Sequence, residues 1–288
     1  VSEEWHIGSA SRWWLHKSLA ALETALTEQG IPLTLRSGNT ATVLEEVCRS
    51  VNAKAVYCSR QYQPWAGQLE QSLRDKLSQH DVALKRYPGT LLHEPEAVAT
   101  GAGTPFKVFT PFWRACLRRP DPQMPLATPT LSPCPTPVQS ETLNSWNLLP
   151  TEPNWAHGWE DLWCPGEDGA HAALEQFLAH HVIDYGDGRD IPSARSTSRL
   201  SPYLRFGNIS PRQVWHAAQA SKVFEPEASS ATDKFLSEIG WREFCYHLLF
   251  HFPTMPDEAF NPKFSYFPWG TDQQRLTAWQ RGQTGYPI

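Results

Sequence analysis

The segment Ser196-Thr197-Ser198-Arg199-Leu200-Ser201 places four hydroxyls and an arginine ahead of Pro202-Tyr203-Leu204-Arg205-Phe206-Gly207. Ser or Thr before an apolar run is an ordinary helix start, but one cap uses one hydroxyl. The surplus points to a second task. Between Arg189 and Arg212 stand five arginines, at 189, 195, 199, 205 and 212, against one acid, Asp190. Charge combined with hydroxyl and N–H donors in fixed directions is what a phosphate or pyrophosphate needs. Capping together with surface salt bridges accounts for the same residue types, and composition alone leaves both readings open.

A second constellation lies in KFLSEIGWREFCYHLLFHFP, residues 234–253. Phe235, Ile239, Leu249 and Phe252 recur at helical spacing and predict a core stripe. Glu238, Trp241, Arg242 and Cys245 follow at i, i+3, i+4 and i+7 on an adjoining face. A carboxylate one turn from an indole, with an arginine beside both, suits a pocket that stacks a flat ring and hydrogen-bonds its polar edge. A Glu–Arg helix pair beside a core Trp is the structural alternative. His247 and His251, at i and i+4, have zinc-compatible spacing but neither an H-E-x-x-H motif nor an evident third ligand. Packed helix histidines are the expectation, and no metal site is assigned.

The elements that must position these residues follow from the rest of the chain. Its 288 residues suffice for one large domain or two ordinary ones. With 40% hydrophobic and 19% charged residues the composition is globular rather than disordered. A net charge of −5 gives no global attraction to nucleic acid, so such a partner needs a local basic patch. Thirteen tryptophans are many for this length, and Trp often marks stacking surfaces. The cysteines Cys48, Cys58, Cys116, Cys134, Cys164 and Cys245 form no C-x-x-C pair, so a reducing, cytoplasmic compartment is expected. No 18-residue apolar run or signal peptide is evident, and no membrane partner is expected.

Residues 11–29 predict a helix with Leu15, Leu19, Leu22 and Leu26 on one face, capped by Ser11 and stopped by Gly30 and Pro32. IPLTLR predicts a strand, and TATVLEEVCRSVN a helix with Val43, Leu44, Val47 and Val51 on one face. KAVYCS predicts a short buried strand, 66–79 a polar helix and VALKRY a third strand. Strands separated by single helices make a parallel, Rossmann-like α/β sheet. Trp13, Trp14 and the QPWAG stretch at 63–67 are read as core aromatics. From Pro120 to Pro153, nine of 34 residues are proline, so neither a helix nor a central strand runs through, and a linker is expected. After about 165 the pattern turns helical. The helix ALEQFLAHHVIDY is expected to end at Gly186, before a GDGRD turn.

The segments GRDIPSARSTSRLSPYLRFGNISPRQVW, SEIGWREFCYHLLFHFP and AWQRGQTGYPI resemble the flavin domain of the DNA photolyase/cryptochrome family. KVFTPFWRAC and WWLHKSLAALETALTEQGIPL resemble its N-terminal antenna-type domain. The resemblance runs in order along nearly the whole chain and leans to class I bacterial cyclobutane-pyrimidine-dimer photolyases. It implies an α/β antenna domain at 1–119, a Pro-rich linker at 120–164 and the first part of an all-α FAD-binding domain at 165–288. Tyr185 matches a flavin-contacting tyrosine and Arg189 a DNA-contacting arginine. Thr197, Ser198, Arg199, Leu200 and Ser201 match the segment that wraps the FAD diphosphate. Glu238 matches the glutamate that hydrogen-bonds the pyrimidine dimer, and Trp241 the tryptophan that stacks on it. Phe235, Glu238, Arg242 and Cys245 are implied around the flavin. Phe235 also stands where many relatives carry a DNA-facing Trp. Trp269 matches the outermost tryptophan of an electron-transfer chain.

The implied partner is UV-damaged DNA and the implied state a monomer. An antenna chromophore, folate or deazaflavin, accompanies FAD in the resemblance. Both chain ends read as cut. The family's first strand is expected before Val1, and the helices that hold the isoalloxazine are expected after Ile288. Light-driven repair, a cryptochrome-like photosensor and a non-functional remnant all stay open at this point, as does the choice between cyclobutane dimers and (6-4) products.

Overall fold

The computed structural model describes residues 6–133 and 136–286. Cys134 and the Pro287-Ile288 end lie outside the described residues, as does the start from Val1 to Trp5. The first half contains helices α1 (Ser9–Glu28), α2 (Thr40–Ser50), α3 (Pro64–Ser78) and α4 (Phe109–Leu117). Strands β1 (Ala55–Ser59) and β2 (Ala83–Tyr87) alternate with them and pair in parallel, Ala55 opposite Ala83 and Ser59 opposite Tyr87. The second half is helical: α5 (Glu167–His180), α6 (Tyr185–Gly188), α7 (Ser201–Phe206), α8 (Pro211–Phe224), α9 (Ser229–His251) and α10 (Gln273–Gln280). Among the described residues no helix is long and apolar enough to cross a membrane.

Several local expectations hold and others are corrected. α1 ends at Glu28, and Gly30 just beyond it takes φ +73°, a left-handed conformation natural to glycine. Its N-cap is Gly8, so Ser11 lies inside the helix. The buried face of α1 carries Trp13, Trp14 and His16 rather than the leucines, and Leu22 is 38% exposed. The aromatic pair wins because two indoles remove far more apolar surface from water than a partly covered leucine stripe. In α2 the innermost residues are Ala41 and Cys48.

IPLTLR forms no strand. The Leu35 N–H donates to Ser140 Oγ at 2.9 Å and its carbonyl accepts from the Glu141 N–H at 2.8 Å. The proline-rich stretch thus satisfies a backbone that would otherwise need a strand neighbour. β1 is not fully buried either. Tyr57 is 64% exposed and stacks on Tyr87 across the solvent face of the pair.

The main hydrophobic core draws on both sides of the proline-rich stretch. It joins Trp13 and Trp14 of α1 and Phe112, Trp113 and Cys116 of α4 to residues of α5, α7, α8 and α9. Trp14 donates its indole N–H to Asn208 Oδ1 at 3.0 Å and meets Trp163 and Tyr203 edge-on. A smaller cluster of Cys48, Leu77 and Val82 lies under the sheet. Leu126, at 95% exposed, illustrates how little of 120–142 is buried, and that stretch forms no helix or strand among its described residues. The five described cysteines are free.

Candidate functional site

A cleft of about 630 Å³ opens between the 197–205 segment and α9. Thr197 to Ser201, Leu204 and Arg205 form one wall; Phe235, Glu238, Ile239, Arg242 and Tyr246 of α9 form the other, with Tyr185 of α6 at the end. The α9 lining residues recur at three and four, the spacing of one helical face. The buried stripe of α9, including Phe235, Leu236, Ile239, Gly240, Phe244 and His247, fixes that face by packing against the core.

The hydroxyls of the opening segment are not consumed as caps. α7 begins at Ser201 with Leu200 as N-cap and no side-chain cap bond, and Pro202 supplies the first-turn geometry. Ser198 Oγ makes one long contact, accepting from the Leu200 N–H at 3.4 Å. Ser196 is the exception, buried against Gly188. Capping by a box occurs one helix later, where Ser210 and Gln213 satisfy each other's backbone at the start of α8. Arg199 takes φ +55°, uncommon for a residue with a Cβ, and its guanidinium lies 3.8 Å over Trp163.

At the mouth of the cleft Arg189 hydrogen-bonds Glu238 through Nη1 and lies over the Tyr185 ring at 5.3 Å. The Glu238 hydrogen bond holds the guanidinium's proton more firmly than usual. Tyr185 is buried edge-on against Phe177 and Phe235, and that burial pushes its phenol pKa up. Arg242 donates to the Thr90 carbonyl at 2.7 Å and covers Tyr246 at 4.9 Å.

Next to it, Glu243 is 2% exposed and accepts from the Leu92 and His93 N–H groups at 2.8 and 3.2 Å. Adjacent residues of α9 therefore clasp the 90–93 segment of the first half. Burial pushes the Glu243 carboxyl up to about 8, against the opposing pull of Arg242 and the two N–H donors. Arg242 Nη1 stands 3.5 Å from Glu243 Oε1, but its short bond goes to Thr90, so burial outweighs the ion pair.

A raised folded-state pKa favours folding fully below the unfolded value and loses that contribution as pH rises through the folded one. Wild-type stability is therefore expected to fall between about pH 4.5 and 8 on account of Glu243. Glu243→Gln keeps an acceptor for both N–H groups and flattens that slope. Thermal midpoints across this range check it, and parallel wild-type and variant profiles contradict it.

The structure sorts the sequence-derived residues. Tyr185, Thr197, Ser198, Arg199, Leu200, Ser201, Phe235, Glu238 and Arg242 share the cleft. Cys245 does not line it; the residue exposed to the cleft one step on is Tyr246. The reason is angular: from Arg242, an i+4 step stays on the cleft face and an i+3 step leaves it. Phe235 is 3% exposed and packed on Phe177 at 4.7 Å, so its ring faces the core at the edge of the cleft. Trp241 is 44% exposed at the rim, stacked on Phe109 outside the cleft lining. Trp269 is 69% exposed. Arg205, one of the clustered arginines, also lines the cleft, and Tyr246 is a lining residue absent from the sequence candidates; continuing the 235, 238, 239, 242 series by one turn finds it.

His247 is buried and accepts from the Phe106 N–H at 3.1 Å, the packed arrangement expected of it. Among the described residues no three His, Cys, Asp or Glu side chains gather around a possible metal position.

Two family models match the chain: DNA photolyase over residues 1–133, and the FAD binding domain of DNA photolyase over residues 235–288. The chain belongs to the DNA photolyase/cryptochrome family. A deoxyribodipyrimidine photo-lyase of Agrobacterium fabrum is 41% identical over 98% of this chain and 59% of its own length. Cryptochrome-2 of Arabidopsis thaliana is 30% identical over 99% of this chain and 48% of its own length. The crystal structure of a bacterial class III photolyase from Agrobacterium tumefaciens superposes with a TM-score of 0.92 at 41% identity. It is covered over 58% of its length, by 97% of this chain. The chain thus spans about three-fifths of the photolyases it matches. The motifs leaned to class I, whereas the structure matched at 41% identity is that of a class III photolyase.

Proposed function

We propose that the chain serves light-driven repair of cyclobutane pyrimidine dimers in DNA, with FAD held in the cleft between the 197–205 segment and α9. The observation that carries this reading is the convergence of two elements far apart in sequence. Hydroxyls free of capping duty and the Arg205 and Arg242 guanidiniums line one cleft with Glu238. That donor set fits a diphosphate, and the cleft's volume lies within the range of cofactor sites. When bound, reduced FAD supplies the light-driven electron that opens the cyclobutane ring.

The chain's own residues bind and position. Thr197, Ser198 and Ser201 donate to phosphate oxygens, and arginines balance the charge. Glu238, at the mouth, hydrogen-bonds the polar edge of the flipped-out bases. Trp241 at the rim stacks on their face. Arg189 exchanges its carboxylate partner for a DNA phosphate.

The division into an antenna-type region (1–119), a Pro-rich linker (120–164) and a flavin region (165–288) belongs to this reading, as do a monomeric state, an antenna pigment and a surface role for Trp269 in electron transfer. The 30% identity to a cryptochrome supports a second reading, a flavin photosensor without repair.

The deciding experiment illuminates the FAD-loaded chain with dimer-bearing oligonucleotide and follows the loss of dimers. Splitting is expected; a flavin that photoreduces while the dimers persist favours the photosensor. Thr197→Val combined with Ser198→Ala is expected to weaken FAD binding about tenfold or more, since each removes a hydrogen bond to a charged group. Flavin titration by fluorescence quenching checks it, and unchanged affinity removes those hydroxyls from the site.

A further inference from the structure

We infer that Phe109, from the first half of the chain, is the positioning residue for Trp241, holding its indole as a platform with one face covered and one face free for a base. The inference rests on the stacking role given to Trp241 above. The two rings lie 3.8 Å apart between centroids and within 10° of parallel. Phe109 is itself nearly parallel to Trp113, at 6.4 Å and 11°. Trp113 is 9% exposed and meets Trp215 edge-on at 6.1 Å.

Trp113 in turn sits on the backbone of α9, where a Cβ at Gly240 would stand 2.6 Å from its indole. A series of fixed contacts therefore runs from the α9 backbone through Trp113 and Phe109 to the ring of Trp241, one residue beyond that glycine. Trp241 remains 44% exposed and sits three residues from Glu238 on the same helix. An indole exposed on both faces would have to be ordered when a base arrives; one already backed by a parallel ring is pre-organised, which favours binding. The α4 region thereby takes part in substrate recognition, beyond any role in holding a pigment.

The test is dark equilibrium binding of the full chain to an oligonucleotide with one thymine dimer and to its undamaged counterpart. Trp241→Leu, Phe109→Leu and the double variant are compared. Trp241→Leu is expected to erase most of the preference for damage. Phe109→Leu is expected to reduce it about three- to tenfold, the worth of an aromatic pair beyond its buried area. In the Trp241→Leu background, Phe109→Leu should add nothing, because it acts through the indole. Phe109→Tyr should restore the preference.

Should Phe109→Leu not fold, Phe109→Met takes its place. Fluorine NMR of the fluorotryptophan-labelled chain, with Trp241 assigned by Trp241→Phe, then reads the ring's order without DNA. A sharp, unshifted Trp241 resonance in Phe109→Met overturns the inference. So does an equal loss from Phe109→Leu with and without the indole. Full preference in Trp241→Leu overturns the stacking role and this inference together. Loss in Trp241→Leu with full preference in both Phe109 variants overturns this inference alone.

Discussion

Glu238→Ala is expected to lower the yield of dimer splitting about a hundredfold, the effect of removing one positioned hydrogen-bonding group from a site where charge develops. Bound flavin should be unaffected, because the hydroxyls of Thr197, Ser198 and Ser201 proposed to hold the diphosphate lie on the opposite wall of the cleft. Stability should also change little. The Arg189–Glu238 pair is partly exposed, with side chains 25% and 35% accessible, and such pairs contribute at most about 1 kcal/mol. A loss confined to photochemical yield thus separates a catalytic role from a structural one. Dimer loss per absorbed photon, measured with the visible flavin spectrum, tests it. An undiminished yield with flavin bound removes Glu238 from the chemistry.

Gly240→Ala is expected to lower the thermal midpoint, against the direction of helix propensity. In an open helix this substitution stabilises by about 1 kcal/mol. Here the added Cβ would approach three atoms of the Trp113 indole at 2.6, 2.7 and 2.9 Å, and Trp113 is enclosed by Phe109 and Trp215. Overpacking of a filled core costs about 1–3 kcal/mol, so the net change is destabilising wherever the ring cannot retreat. A fall of several degrees follows, at about 2–4 °C per kcal/mol for a domain of this size. An unchanged or raised midpoint would mean that α4 shifts away from α9 at little cost. In that case Trp241 should lose its backing ring, visible as weaker discrimination between damaged and intact DNA.

The two predictions concern neighbouring residues of one helix that were legible to different degrees. Glu238 stood out because a carboxylate one turn from an indole and an arginine suggests a pocket with a polar edge. Gly240 did not, because nothing local marks a glycine that makes room for a ring more than a hundred residues earlier in the chain. The same limit explains Cys245 and Tyr246. Both stand about one turn beyond Arg242, and the angle at which α9 packs makes Tyr246 rather than Cys245 the continuation of the 235, 238, 239, 242 series.

Local chemistry determined much of this protein. Alternating apolar segments specified two strands, their helices and the helical second half, because periodicity and backbone propensity act over a few residues. The motifs specified the family and most of one cleft wall, since Thr197 to Ser201 are consecutive in sequence and line that wall together. Tertiary structure alone decided that Trp13 and Trp14, not the leucines, bury α1. It decided too that the IPLTLR backbone pairs with Ser140 and Glu141, that Phe235 turns inward, and that one core spans the proline-rich stretch. Each depends on partners remote in sequence, and buried area, steric fit and hydrogen-bond satisfaction between them leave no mark in a local pattern.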